Sequence, residues 1–376
     1  MSLAALRSGR SGLRACDFGD ADIPTWIGRV DGVEDEPIRG DLAAFDCRNN
    51  RLCRLGLIAD GFDRAVADAV ARHGADRVGI FIGTSTSGIE ATERAYQRLD
   101  PVSGRLPADF DYEHTHNVFS VAAFTRAWLG LSGPASAIST ACSSSAKVFA
   151  TAYRHIRAGF CDAAVVGGCD SLCLTTLYGF RALELTSPDP CRPWDAERNG
   201  LSLGEAAGFA LVEPAGPEDR GELALLGYGE SSDAYHMTAA HPEGAGAALA
   251  MRDALDRAGL QATDVDYINL HGTATPSNDA AEDKAIVQVF GADTLCSSTK
   301  GWTGHTLGAA GIIEAAFSLL ALRHGLVPAN LNTSRIDPAL VAKIACETET
   351  RPLDRVISNS FGFGGTNCSL VFGWLH

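Results

Sequence analysis

The sequence predicts an α/β protein made of two similar halves. Three observations carry this. A strand, a small-residue turn, an amphipathic helix, a glycine and a second strand follow one another twice. Two further runs are almost wholly apolar or β-branched, as strands buried on both faces are. The chain, at 376 residues, is longer than one minimal domain.

The elements follow in order. Residues 78–82 form the first apolar run. Residues 134–140 are apolar and β-prone and lead into Ala141-Cys142-Ser143-Ser144-Ser145. Ala146, Phe149, Ala150, Tyr153 and Ile156 then recur at helical spacing on one face. Gly159 predicts the helix end, and residues 163–166 the next strand. A stretch of Pro, Gly and charge at 214–221 divides the chain, giving predicted domains 1–215 and 222–376. In the second half, 265–270 and 295–299 read as strands. A turn with Gly301 and Gly304 precedes a helix from about 307 to 324, closed by Gly325 and followed by Leu326-Val327. The last predicted strand is 368–372.

Composition excludes several classes. The net charge is −15, which argues against non-specific nucleic-acid binding because that requires a basic face. No secretory signal is read in residues 1–10, and no apolar run is expected to span a membrane. Eleven scattered cysteines, an odd number, point to a reducing cytoplasm with most thiols buried. No C-x-x-C pair is present, so no metal site is predicted.

Three residues stand where chemistry is possible. Cys142 lies where a buried strand turns into a helix, whose free N–H groups and positive dipole end favour thiolate and can hold an oxyanion. A buried inert cysteine is an equally good reading of position alone. His271 ends a buried strand and opens His271-Gly272-Thr273-Ala274-Thr275-Pro276. His305 sits in the turn before the second helix, a place like that of Cys142 in the first half. Rival motifs fail in detail: Gly362-Phe363-Gly364-Gly365 is not G-x-G-x-x-G, the 83–88 turn is not G-x-S-x-G, and the histidines lack H-E-x-x-H spacing.

Four stretches together resemble the β-ketoacyl synthases, the condensing enzymes of fatty acid and polyketide assembly. They are Ser139-Thr140-Ala141-Cys142-Ser143-Ser144-Ser145-Ala146; His271 to Pro276 with Asp279 and Glu282 downstream; Lys300-Gly301-Trp302-Thr303-Gly304-His305-Thr306-Leu307-Gly308-Ala309-Ala310-Gly311; and Asn359-Ser360-Phe361-Gly362-Phe363-Gly364-Gly365-Thr366-Asn367. Their order is the family's. The resemblance implies the thiolase fold, two α/β halves in five α-β-α-β-α layers. It implies a cytoplasmic dimer, either of like chains or with a chain-length-factor subunit.

It further implies that Cys142 takes an acyl group from an acyl carrier protein. A malonyl thioester then loses carbon dioxide and extends the chain, with His271 and His305 holding the enolate oxygen. Lys300 and Glu282 are expected as a charged pair, Thr273 and Thr275 as pantetheine contacts, and Phe361 and Phe363 as pocket residues, Phe363 as its gate. The amides of Cys142 and Phe363 are expected to form the oxyanion hole. No cofactor is implied, since substrates arrive on the carrier's phosphopantetheine. The Cys-His-His set resembles elongating synthases. The alternative, a non-condensing chain-length factor, usually lacks the nucleophile.

Two further expectations concern the N-terminus and a docking surface. Family members open with a β-strand and a loop before a helix like residues 4–10; this sequence starts in that helix, and the missing strand is expected to be central in the first sheet. An acidic chain must also meet an acidic carrier through a local basic patch. Arg48, Arg51 and Arg54 recur every three residues, along one helix face, and are expected to provide it.

Overall fold

The computed structural model describes residues 3–376. In the first half, β1 (Val78–Gly83), β2 (Ala135–Ile138), β3 (Ala163–Asp170) and β4 (Ala206–Val212) form a sheet in the order β2-β1-β3-β4. All pairs are parallel except β3 with β4. In the second, β5 (Leu223–Ser232), β6 (Tyr267–Asn269), β7 (Leu295–Ser297), β8 (Lys343–Ile344), β9 (Arg355–Gly362) and β10 (Thr366–Trp374) run β8-β7-β6-β9-β10-β5. The series β7-β6-β9-β10 repeats β2-β1-β3-β4, including the antiparallel last strand.

This repeat corrects one expectation. The strand that opens the second half, β5, lies at its sheet's edge, paired antiparallel with β10. The equivalent place in the first half is the edge beside β4, not the centre of the sheet. The contiguous ladder from β2 to β4 leaves no central position for it.

The helices that bear on the argument are α1 (Leu3–Ser8), α2 (Arg48–Ile58), α3 (Ser144–Arg157), α4 (Leu174–Ala182), α5 (Ala245–Ala258), α6 (Pro276–Phe290) and α7 (Ala310–His324). Alternation along each strand sorts side chains between layers. In β3, Ala163, Val165 and Cys169 join an outer core with Leu52, Cys53 and Leu57 of α2. Ala164 and Val166 face inward to Phe149 of α3 and Ile312 of α7. In β6, Tyr267 faces that same inner core, and Ile268 faces an outer one with Met251 and Ile286. Five layers result, with α3 and α7 shared in the middle.

The segment Leu307–His324 has a mean hydropathy of 1.3 over 18 residues, which by length and composition is enough to cross a membrane. That departs from the expectation of no such run. Its apolar surface is nevertheless spent inside the protein, since 67% of the segment is buried.

Candidate active site

The two central helices meet at their N-terminal ends. A Cβ on Gly311 would stand 2.4 Å from the backbone nitrogen of Ala146, so only glycine permits this approach. The crossing brings together the turns that precede α3 and α7, and with them Cys142 and His305. Ala141 adopts a left-handed φ of 51° to tip Cys142 into the site; such a conformation costs a non-glycine residue about 1 kcal/mol or more. Gly362 passes closely overhead, where a Cβ would lie 2.8 Å from the Thr140 carbonyl oxygen.

His305 Nε2 lies 3.0 Å from Cys142 Sγ. The His271 and His305 rings stand edge to face with centroids 5.3 Å apart. All three side chains are buried. Burial, aided by the nearby Lys300 ammonium, holds both imidazoles neutral, with pKa values well below the usual 6.5. Burial also pushes the Cys142 thiol up to about 12, although Lys300 and the Phe363 N–H directed at the sulfur pull the other way. This reverses the expected preference for thiolate: desolvation outweighs the helix terminus. The resting group is a thiol beside a neutral imidazole that can accept its proton.

The supporting charges are arranged differently from expectation. Lys300 Nζ pairs with Glu314 on α7 at 2.5 Å, not with Glu282. It also donates to the His271 carbonyl oxygen and sits 3.4 Å from His271 Nδ1. Glu282 instead accepts the backbone N–H groups of His271 and Gly272, each at 2.8 Å, which fixes the loop that carries the imidazole. Two backbone donors already fill its oxygens, while Glu314 projects from the buried helix beside the ammonium. Burial raises the pKa of each carboxyl to about 7. Glu314 was missed in the sequence. The available signal was the single charged residue in the largely apolar run from 310 to 322.

A cavity of ≈ 60 Å³ opens onto the triad, lined also by Thr273, Thr275, Phe361 and Phe363. The two threonine hydroxyls lie 2.9 Å apart at its wall. The Phe363 ring stacks on Phe180 of α4, centroids 5.6 Å apart and 23° from parallel. Phe180 and Asp233, which also line the cavity, carried no sequence signal because no motif contains them.

The three arginines do lie on one helix, α2, but they are committed elsewhere. Arg48 is buried and joins Glu34 and the buried Glu205, the latter at 2.6 Å. Arg51 clasps Asp46 with two bonds of 2.6 Å. Arg54 donates to the backbone oxygen of Glu36 at 2.8 Å. Their spacing ties α2 to neighbouring segments through pairs within the chain.

Comparison with known proteins follows the same lines. Residues 53–217 match the β-ketoacyl synthase N-terminal domain family, and residues 223–334 the β-ketoacyl synthase C-terminal domain family. The chain is 35% identical to 3-oxoacyl-[acyl-carrier-protein] synthase 2 of Vibrio cholerae, over 99% of this chain and 94% of that one. It is 37% identical to the Vibrio harveyi protein of the same name, over 99% and 93%. Among solved structures it resembles the ketosynthase ApeO, in complex with its chain length factor ApeC, from Xenorhabdus doucetiae. The TM-score there is 0.86 at 39% identity, covering 99% of this chain and 92% of that one.

Proposed function

The chain belongs to the β-ketoacyl synthase family, a condensing acyltransferase of the thiolase fold, and from that premise we propose how its residues divide the work. An acyl group arrives as a thioester on a carrier protein's phosphopantetheine. The Cys142 thiol attacks the carbonyl as its proton passes to His305 Nε2; the carrier thiolate leaves and takes that proton from His305, which is neutral again. The N–H groups of Cys142 and Phe363 hold the oxyanion. The acyl group then rests on Cys142 at little energetic cost, one thioester replacing another.

Malonyl thioester enters next. Its loss of carbon dioxide leaves an enolate, whose oxygen accepts N–H bonds from His271 and His305. Two neutral imidazoles suit this role, because each can present an N–H to the oxygen without being acidic enough to protonate the carbanion. The carbanion attacks acyl-Cys142, expels the sulfur and yields a 3-ketoacyl thioester two carbons longer. Glu282 fixes the His271 loop, and the Lys300–Glu314 pair sets its field. Thr273 and Thr275 contact pantetheine, and Phe363 gates the acyl side. The chain supplies no cofactor of its own. The two halves divide between residues 215 and 222.

We place the enzyme in the cytoplasm, supported by eleven free cysteines among the described residues. Its dimer partner is either another copy or a chain-length factor, as in the ApeO complex; native mass spectrometry of the chain expressed alone separates the two. The observation that carries the mechanism is the 3.0 Å approach of His305 Nε2 to Cys142 Sγ. The test is incubation with carrier proteins bearing acyl chains of different length, reading the mass added to the Cys142 peptide. Acyl mass on any other cysteine, with none on Cys142, sinks the assignment.

A further inference from the structure

Three donor atoms meet at the cavity floor. They are the Cys142 sulfur and one ring nitrogen each from His271 and His305, all within 4.8 Å of one another. We propose that this triad is also a reversible binding site for a soft divalent cation, zinc foremost, and that the bound ion switches condensation off. The binding stands on the donor geometry alone; the inhibition rests on the catalytic roles proposed above. Among the described residues no other three His, Cys, Asp or Glu side chains converge this way.

The chemistry of the donor set supports a metal. One thiolate and two neutral imidazoles, with a fourth position open, form a common tetrahedral zinc environment. Zinc–sulfur and zinc–nitrogen bonds of about 2.3 and 2.0 Å put neighbouring ligands roughly 3.3–3.8 Å apart. The triad brackets that range, from the 3.0 Å of His305 Nε2 to Cys142 Sγ up to 4.8 Å. Small rotations of the side chains therefore complete the site. The fourth position faces the cavity, where water, hydroxide or chloride can enter. As the metal–sulfur bond forms, the S–H bond breaks and its proton passes to buffer; no electron changes hands.

The neighbouring charges explain why capture is reversible rather than permanent. Lys300 Nζ lies 3.4 Å from His271 Nδ1, so His271 must bind through Nε2 and turn an Nδ1–H toward the ammonium. Glu314, paired with Lys300, offsets part of that repulsion. An ion held here occupies the sulfur that must accept the acyl group and the imidazoles that must face the enolate.

The test is titration of the metal-free protein with Co²⁺. The expected result is one ion per chain, with the visible bands of four-coordinate cobalt and a thiolate-to-metal charge-transfer band. Cys142→Ala should abolish the charge-transfer band. His305→Ala should weaken binding by more than the roughly 10–100-fold that loss of an outer partner costs. An unchanged band in Cys142→Ala overturns the proposal. A second measurement needs no variant. Zn²⁺ should protect the Cys142 peptide from iodoacetamide while exposed Cys346 stays reactive, and a chelator should restore both alkylation and condensation. Alkylation of Cys142 at the same rate with and without Zn²⁺ overturns the site. Protection of Cys142 with condensation undiminished leaves the binding standing and overturns the catalytic reading instead.

Discussion

The two halves share one strand order but handle buried charge in opposite ways. In the first half, the buried carboxylate of Asp170 is saturated with donors. It accepts from Thr84, Ser85 and Thr86 and from the Gly308 N–H across the half boundary. In the second half, burial raises Glu282 and Glu314 to about 7, and Lys300 pairs with Glu314 while lying 3.4 Å from His271 Nδ1. One half thus gives a nucleophile on a rigid turn. The other gives a charged, desolvated surround that keeps two histidines neutral. A duplicated scaffold can divide labour this way because the central helices let each half serve the other's loop.

Substitutions in each half test this division of labour. The largest expected effect is in the first half: Cys142→Ala should form no 3-ketoacyl product by mass spectrometry, yet melt within a few degrees of the parent. Residual product would move the nucleophile elsewhere. Next is the second half's contribution: His305→Ala should slow malonyl decarboxylation by about 10²–10³-fold, the usual cost of one oxyanion donor. Unchanged release of carbon dioxide would remove His305 from the step.

Third, Arg48→Ala should destabilise the first half by about 3–5 kcal/mol in denaturant unfolding, because buried Glu205 loses its partner. A change below about 1 kcal/mol would show that Glu205 is neutral or rehydrated.

The fourth concerns pH. Glu282 has its folded pKa raised from 4.5 to about 7. Between those values the folded state holds the proton more tightly than the unfolded chain. Stability from this group is therefore full below pH 4.5 and lost as pH rises through about 7, roughly 3 kcal/mol in all. Glu282→Gln removes that titration, so the fall of Tm between these pH values should become shallower. A parallel Tm profile would contradict the raised pKa. The smallest effect belongs to Arg54→Ala. Its carboxylate partner Glu36 is largely exposed, so carrier-borne turnover and its salt dependence should stay near the parent, with stability changed by no more than about 1 kcal/mol. A several-fold loss of turnover from carrier substrates alone would revive a docking role.

The sequence by itself determined the pieces whose physics is local. Gly159 and Gly325 end their helices with φ of 75° and 55° as the pattern predicted, because only the residues around them decide that. The catalytic loops were legible for a similar reason: each follows a β-prone strand and is dense in small residues. Strands β4, β5 and β9 were not legible. Glycine, alanine, serine and asparagine interrupt their apolar residues, and such residues break the hydrophobic alternation.

Tertiary structure alone decided the rest. Whether Lys300 meets Glu282 or Glu314 depends on how α7 packs against β9, not on spacing along the chain. Arg48 reads as a surface residue until β4 and its approach deliver Glu205 to it. The Cys142 thiol seemed set for ionisation by its helix terminus, yet its pKa follows the depth of the cavity. Burial is a property of the assembled layers. It governs charge more strongly than any local motif, because desolvation scales with everything packed around the group.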